Sequence, residues 1–172
     1  MTKAALPRHY GLYINGEEVA TAGQFASLDP YTGEAWASIA DATEADIDRA
    51  VRAARLAFDE GPRSQFSGKE RAACLRRLAD IIARDSEDLA RIEMRDNGKL
   101  YRELIGQWRA LPDHFLFFAG LADKIAGETL PSDRPNYFIY TRKEPLGVVA
   151  AITPWNSPAL LLSYKLAAGL AA

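Results

Sequence analysis

Residues 151–165 read AITPWNSPALLLSYK, an apolar run that passes into a second apolar run through three polar side chains, with a lysine at the far end. Upstream, the stretch GVVAAIT (147–153) is apolar at successive positions, as a strand covered on both faces would be. Downstream, residues 157–172 are apolar on every side except at Ser163 and Lys165, which reads as a helix packed on a sheet. Strand into helix is the building unit of α/β folds, and their ligands gather where strand ends and helix N-termini converge. The fold class read from this stretch is therefore α/β.

The junction itself carries the chemistry. Thr153 and Asn156 can hydrogen-bond, Trp155 offers a flat surface and Pro154 fixes the turn. Two readings of Asn156 stand side by side: its side chain caps the following helix, or its amide faces outward as a donor to a developing oxyanion. Lys165, among leucines, either snorkels to solvent or has a buried partner; desolvation would lower its pKa toward proton transfer at neutral pH.

Working outward, LYINGEEV (12–19) predicts a hairpin on Asn15-Gly16, the dipeptide of a type I′ turn. A strand follows near Trp36–Ala40. The period then becomes helical. Thr43 with Asp46 signals a capping box ahead of Ile47, Ala50, Val51, Ala54 and Phe58, and Gly61-Pro62 stops that helix. Ser67 with Glu70 repeats the signal before Cys74, Leu75, Leu78, Ile81 and Ile82. Asp85 is placed as the cap of a third helix ending at Asn97-Gly98. A fourth runs from Leu104 through Trp108, Leu111, Phe115, Phe118 and Ala122 to Ile125, closed by Gly127, with a kink or break expected at Pro112. NYFIYTRKE (136–144) and GVVAAIT are expected to be two strands about a turn at Pro145-Leu146-Gly147.

Composition narrows the class. With 172 residues, 21 Lys+Arg against 23 Asp+Glu and charges of both signs interspersed, the chain has the size of one domain and no basic stripe for nucleic acid. A single cysteine, Cys74, excludes an internal disulfide and fits a reducing compartment, so a cytoplasmic location is expected. The opening residues show no signal peptide, and the apolar C-terminal run is too short and too charged to span a membrane. Cys74 lies on an apolar stripe and reads as a packed thiol. His9 and His114 have no sequence partner and read as surface residues. GxGxxG, Walker, CxxC and HExxH patterns are all absent.

One resemblance gathers these pieces. EPLGVVAAITPWNSPALLLSYKLAAGLAA (144–172) resembles a signature of the aldehyde dehydrogenase superfamily. YINGEEV, LDPYTGEAWASIADATEADIDRAVRAARLAF, ERAACLRRLADIIARDSEDLARIEMRDNGK and FFAGLADKIAGETLP resemble its preceding segments in order. The resemblance implies the N-terminal part of that fold: a small hairpin and helices over 1–135, an oligomerisation arm over 136–151, and the start of a Rossmann-like strand-turn-helix over 152–172, with the catalytic domain absent. It implies NAD or NADP as cofactor, bordered by Ile152, Thr153, Pro154, Trp155 and Asn156, and a small aldehyde as substrate, oxidised through a cysteine thiohemiacetal. It gives Asn156 the oxyanion-hole role and Lys165 a proton- or charge-relay role. Ser27, Leu28 and Asp96 match an alkali-cation site, and the intact enzyme would be a homo-oligomer.

The departures matter too. Ser157 stands where the family often has a bulky aromatic, and Tyr164 lies near another tunnel position, which leaves the aldehyde open. The family's general-base glutamate, nucleophilic cysteine and glycine-rich cofactor turn find no match, so the chain is expected to be a truncated fragment, inactive alone. The alternatives are a standalone non-catalytic module pairing through its exposed hairpin, and a semialdehyde or acyl-CoA-forming relative.

Overall fold

A computed structural model describes residues 8–172. The first residues of the expected 1–135 unit, and of the terminus read as free of a signal peptide, lie outside them.

The hairpin forms as its turn dipeptide demands. Strands β2 (Leu12–Ile14) and β3 (Glu17–Val19) pair antiparallel, Ile14 opposite Glu17. Asn15 and Gly16 both take positive φ, 53° and 84°, as a two-residue I′ turn requires. Beside it, β1 (His9–Tyr10) lies parallel to β5 (Ala35–Asp41), and β4 (Gly23–Leu28) lies antiparallel on the other edge of β5, with a register shift at Ser27/Leu28.

Helix α1 (Glu44–Asp59) opens on a complete capping box. Thr43 N–H donates to the Asp46 carboxylate at 2.9 Å, and Asp46 N–H donates back to the Thr43 hydroxyl. Its apolar stripe, read as a core face, is half exposed at Ile47 and Val51. Ala50 and Phe58 of the same stripe are half-buried, facing β2 and the segment around Gly147 respectively.

The second and third expected helices are one. Helix α2 (Gly68–Asn97) runs unbroken for 30 residues from the Ser67/Glu70 box. Asp85 caps nothing; it sits mid-helix in a two-bond pair with Arg84, both bonds 2.7 Å. The reason is phase. The buried positions Ala72, Leu75, Ala79, Ser86, Ala90 and Glu93 keep helical spacing across Asp85, so one face stays buried throughout. Gly98, in the left-handed region at φ 76°, ends the helix as expected.

Helix α3 (Tyr101–Leu121) passes through Pro112 without interruption. The predicted break is absent: Pro112 lies on the buried face of the helix, and burial of that face on both sides of it outweighs one missing backbone donor. The helix stops short of Ile125, which is half exposed. After Gly127, where a Cβ would strike the Thr141 carbonyl, β6 (Thr129–Leu130) pairs with β7 (Ile139–Tyr140) in an antiparallel ribbon.

GVVAAIT is not a strand. Residues 148–153 are extended but unpaired, with Val149 67 % and Ile152 81 % exposed. The partner of the 136–144 segment is Thr129–Leu130 instead. A strand needs a neighbour's row of backbone donors and acceptors, and none of the described residues offers one there.

Helix α4 (Pro158–Ala171) correspondingly packs on helices, not on a sheet. Its Ala167 and Ala171 join Ala72, Leu75 and Ala79 of α2 and Phe115 and Ala119 of α3 in one core. Small side chains at the crossing let three backbones approach closely, with Phe115 filling the space between. Arg71 ties this corner: its guanidinium donates to the carbonyls of Ala171 (2.9 Å), Phe66 (2.8 Å) and Ala122 (3.3 Å). Among the described residues, no helix is long and apolar enough to cross a membrane.

Candidate functional site

The five residues Thr153–Ser157 form a turn between the extended segment and α4. Pro158 occupies the first helical turn, where its missing N–H costs nothing. The N-cap is Ser157, and its side chain makes no capping hydrogen bond. Asn156 lies one residue outside the helix and is exposed. Among the described residues, its amide has no hydrogen-bond partner. Of the two readings of this side chain, capping is therefore not the one realised, and both amide hydrogens are available to an acceptor.

The neighbours leave an open surface. Trp155 is 78 % exposed and Ile152 is also open, so the indole face and the apolar edge at Ile152 are accessible along the turn, with Pro154 between them. Thr153 is half-buried. A flat aromatic beside a short apolar edge offers a surface suited to a planar ring.

Lys165 is exposed, and its ammonium donates to the Ile152 carbonyl, thirteen residues upstream. It is open to solvent, as one of the two expectations had it, and its partner is an exposed backbone carbonyl and not a buried group. Its bond closes the base of the turn on the Ile152 side.

A second anchor was invisible in the sequence. Lys99, in the short link between α2 and α3, donates from Nζ to Ser157 Oγ and to Gln107 Oε1, both at 2.9 Å. Its backbone N–H donates to Asn97 Oδ1 at 3.1 Å, and Asn97 Nδ2 donates to Glu93 Oε1 at 3.1 Å. Trp108 Nε1 occupies the other Glu93 oxygen at 2.9 Å. The only local signal was a lysine directly after a helix-ending Asn-Gly; a contact across 58 positions has no periodicity to betray it.

The proposed cation residues come together in part. Ser27 Oγ donates to Asp96 Oδ1 at 2.7 Å and accepts from Trp36 Nε1 at 3.0 Å, at the irregular end of β4. Leu28 is exposed beside them. A carboxylate, a hydroxyl and bulge carbonyls are hard oxygen donors, suited to an alkali ion and unsuited to a soft metal. Among the described residues, no cluster of three His, Cys, Asp or Glu side chains could hold a metal.

The remaining candidates fall elsewhere. Cys74 is half-buried on α2, with Arg77 Nη2 3.2 Å from its sulfur. His9 is exposed and pairs with Ser38 Oγ at 2.8 Å. His114, expected at the surface, is half-buried; its Nδ1 lies 2.8 Å from the buried Ser163 hydroxyl and its ring 4.6 Å from that of Tyr164. Ser163 spends its proton on the Leu160 carbonyl, so Nδ1 is the protonated nitrogen.

Comparison with known proteins places most of the chain in one family. A model described as the aldehyde dehydrogenase family covers residues 18–172. Aldehyde dehydrogenase family 2 member C4 of Arabidopsis thaliana is 43 % identical over 166 residues, spanning 94 % of this chain and 33 % of the relative. A solved NAD+ complex of aldehyde dehydrogenase from Bacillus cereus is 40 % identical with a TM-score of 0.92, over 96 % of this chain and 34 % of that one. Betaine aldehyde dehydrogenase of Staphylococcus aureus, solved with NAD+, has a TM-score of 0.87 at 40 % identity, over 92 % of this chain and 33 % of that one. The chain thus spans about a third of the length of the relatives it matches.

Proposed function

Because the chain belongs to the aldehyde dehydrogenase family, we propose that it supplies the oxyanion-binding turn of an enzyme oxidising aldehydes to carboxylic acids with NAD or NADP. The carrying observation is the Asn156 amide, outside the helix it was thought to cap and free of any partner among the described residues.

As a nucleophile adds to an aldehyde, negative charge develops on the carbonyl oxygen. A donor already held in place stabilises that charge without reorganising, and removing such a donor costs about 10²–10³ in kcat. Asn156 Nδ2 is that donor here. Trp155 and Ile152 bound the surface for the cofactor, which when bound supplies the hydride acceptor. Lys165 holds the Ile152 carbonyl and thereby the base of the turn. Asp96 and Ser27, with Leu28 beside them, would hold an alkali ion.

We assign no nucleophile within these residues, since Cys74 sits on α2 against Arg77. The 172 residues alone should therefore form no NADH from aldehydes, whereas a polypeptide of the relatives' length carrying this sequence should. Following NADH absorbance for both preparations over a panel of aldehydes tests the reading. Turnover by the short chain would refute the first half, and an inert long chain the second.

A second reading draws on the ribbon, where Phe138 and Tyr140 are largely exposed and their rings lie tilted beside each other, 5.8 Å between centroids. An aromatic ribbon edge of this kind suits pairing with another chain. The homo-oligomer reading and the non-catalytic module both use this surface. Light scattering of the chain with and without Phe138→Glu distinguishes an associating ribbon from an inert one.

A further inference from the structure

The turn that carries Asn156 has little of its own to hold it. Trp155 and Ile152 project into solvent, and the N-cap hydroxyl of Ser157 is not spent on the first turn of α4. That hydroxyl instead meets the Lys99 ammonium. Lys99 in turn is fixed at two more points, Gln107 Oε1 through its side chain and Asn97 Oδ1 through its backbone. Behind Asn97 stands Glu93, 7 % exposed, with both oxygens committed to Asn97 and Trp108. An unbroken series of hydrogen bonds therefore runs from the buried face of α2 and α3 to the residue beside Asn156.

We propose that Lys99 is a positioning residue for Asn156: by holding Ser157 from outside α4, it fixes the turn that its own helix leaves uncapped. Three features carry this. Lys99 pairs with neutral acceptors and with no carboxylate among the described residues, so its ammonium is spent on orientation and not on charge neutralisation. Its anchor is a satisfied, half-buried network at the α2–α3 junction that closes on the buried Glu93. Its grip lies opposite that of Lys165, which holds Ile152, so residues 153–156 span two lysine-held points. Preorganisation of a donor depends on such supporting bonds. The importance of the turn rests on the oxyanion reading of Asn156; the restraint itself does not, and the test reads the restraint.

Backbone ¹⁵N relaxation of the 172-residue chain decides it. In the parent, the amides of Trp155, Asn156 and Ser157 should be as ordered as those of α4, with order parameters of about 0.85. In Lys99→Met they should fall below about 0.6 while α2 and α3 keep their values. Ser157→Ala removes the other end of the same bond by deleting a single oxygen, and gives the answer even if Lys99→Met unfolds. It should loosen the same amides, and Ser157→Thr, which keeps the hydroxyl, should restore them. Unchanged order at Asn156 in Ser157→Ala, or loosening spread evenly over α2–α4, would overturn the proposal. Aldehyde oxidation plays no part in this readout, so failure of the dehydrogenase reading would be seen separately.

Discussion

Trp108 donates its indole N–H to Glu93 at 2.9 Å, joining α3 to the buried face of α2 through a carboxylate that has no cationic partner among the described residues. Deleting that carboxylate strands the indole donor and the Asn97 amide together. Glu93→Ala should cost about 1–3 kcal/mol in urea unfolding, the range for a stranded buried donor, since both donors are only half-buried. Glu93→Gln, which retains one acceptor, should cost visibly less.

Arg71 makes the corresponding bond for α4. Its donors reach the carbonyls at the ends of α3 and α4, which otherwise face a core of small apolar residues. Arg71→Met keeps much of the stem and removes all three bonds. We expect a loss of about 2–3 kcal/mol, in line with hydrogen bonds from a charged donor. Hydrogen exchange should rise first in the last turn of α4, and equal exchange in parent and variant would contradict the assignment.

The two capping boxes predict an acid response. Hydrogen bonds from the Thr43 and Ser67 backbones, then from their hydroxyls, hold the Asp46 and Glu70 carboxyls below their ordinary range. A carboxyl whose pKa is lower folded than unfolded stabilises the fold fully above its unfolded pKa. That contribution fades as pH falls through the folded value. Helical ellipticity should accordingly decline at the acid end of the carboxylate range, and Asp46→Asn with Glu70→Gln should flatten that decline. A parent and double variant with identical acid profiles would show that the boxes contribute nothing.

What could be read in advance was whatever local chemistry decides. The Asn15-Gly16 turn, both capping boxes and the Gly98 stop stand at the predicted residues because each is settled within a few positions of chain. Asp85 misled because a helix-starting residue type says nothing about whether the apolar phase continues past it. Pro112 misled as to a break, because burial of the helix face it lies on outweighs one missing donor. GVVAAIT shows the limit of composition: apolar content marks what a segment would pair with, and pairing needs a neighbour. At the site, Asn156 and Lys165 were legible as misplaced polar residues in an apolar run. Lys99 and Glu93 were not, because their meaning lies in contacts between distant segments.

On the proposal above, the Asn156 amide is a catalytic donor and not a helix cap. The direct measurement is kcat for aldehyde oxidation by a polypeptide of the relatives' length carrying this sequence, compared with its Asn156→Ala variant. Loss of an oxyanion donor predicts a fall in kcat of about 10²–10³ with the helical signal intact. A kcat that stays within about twofold of the parent would contradict it.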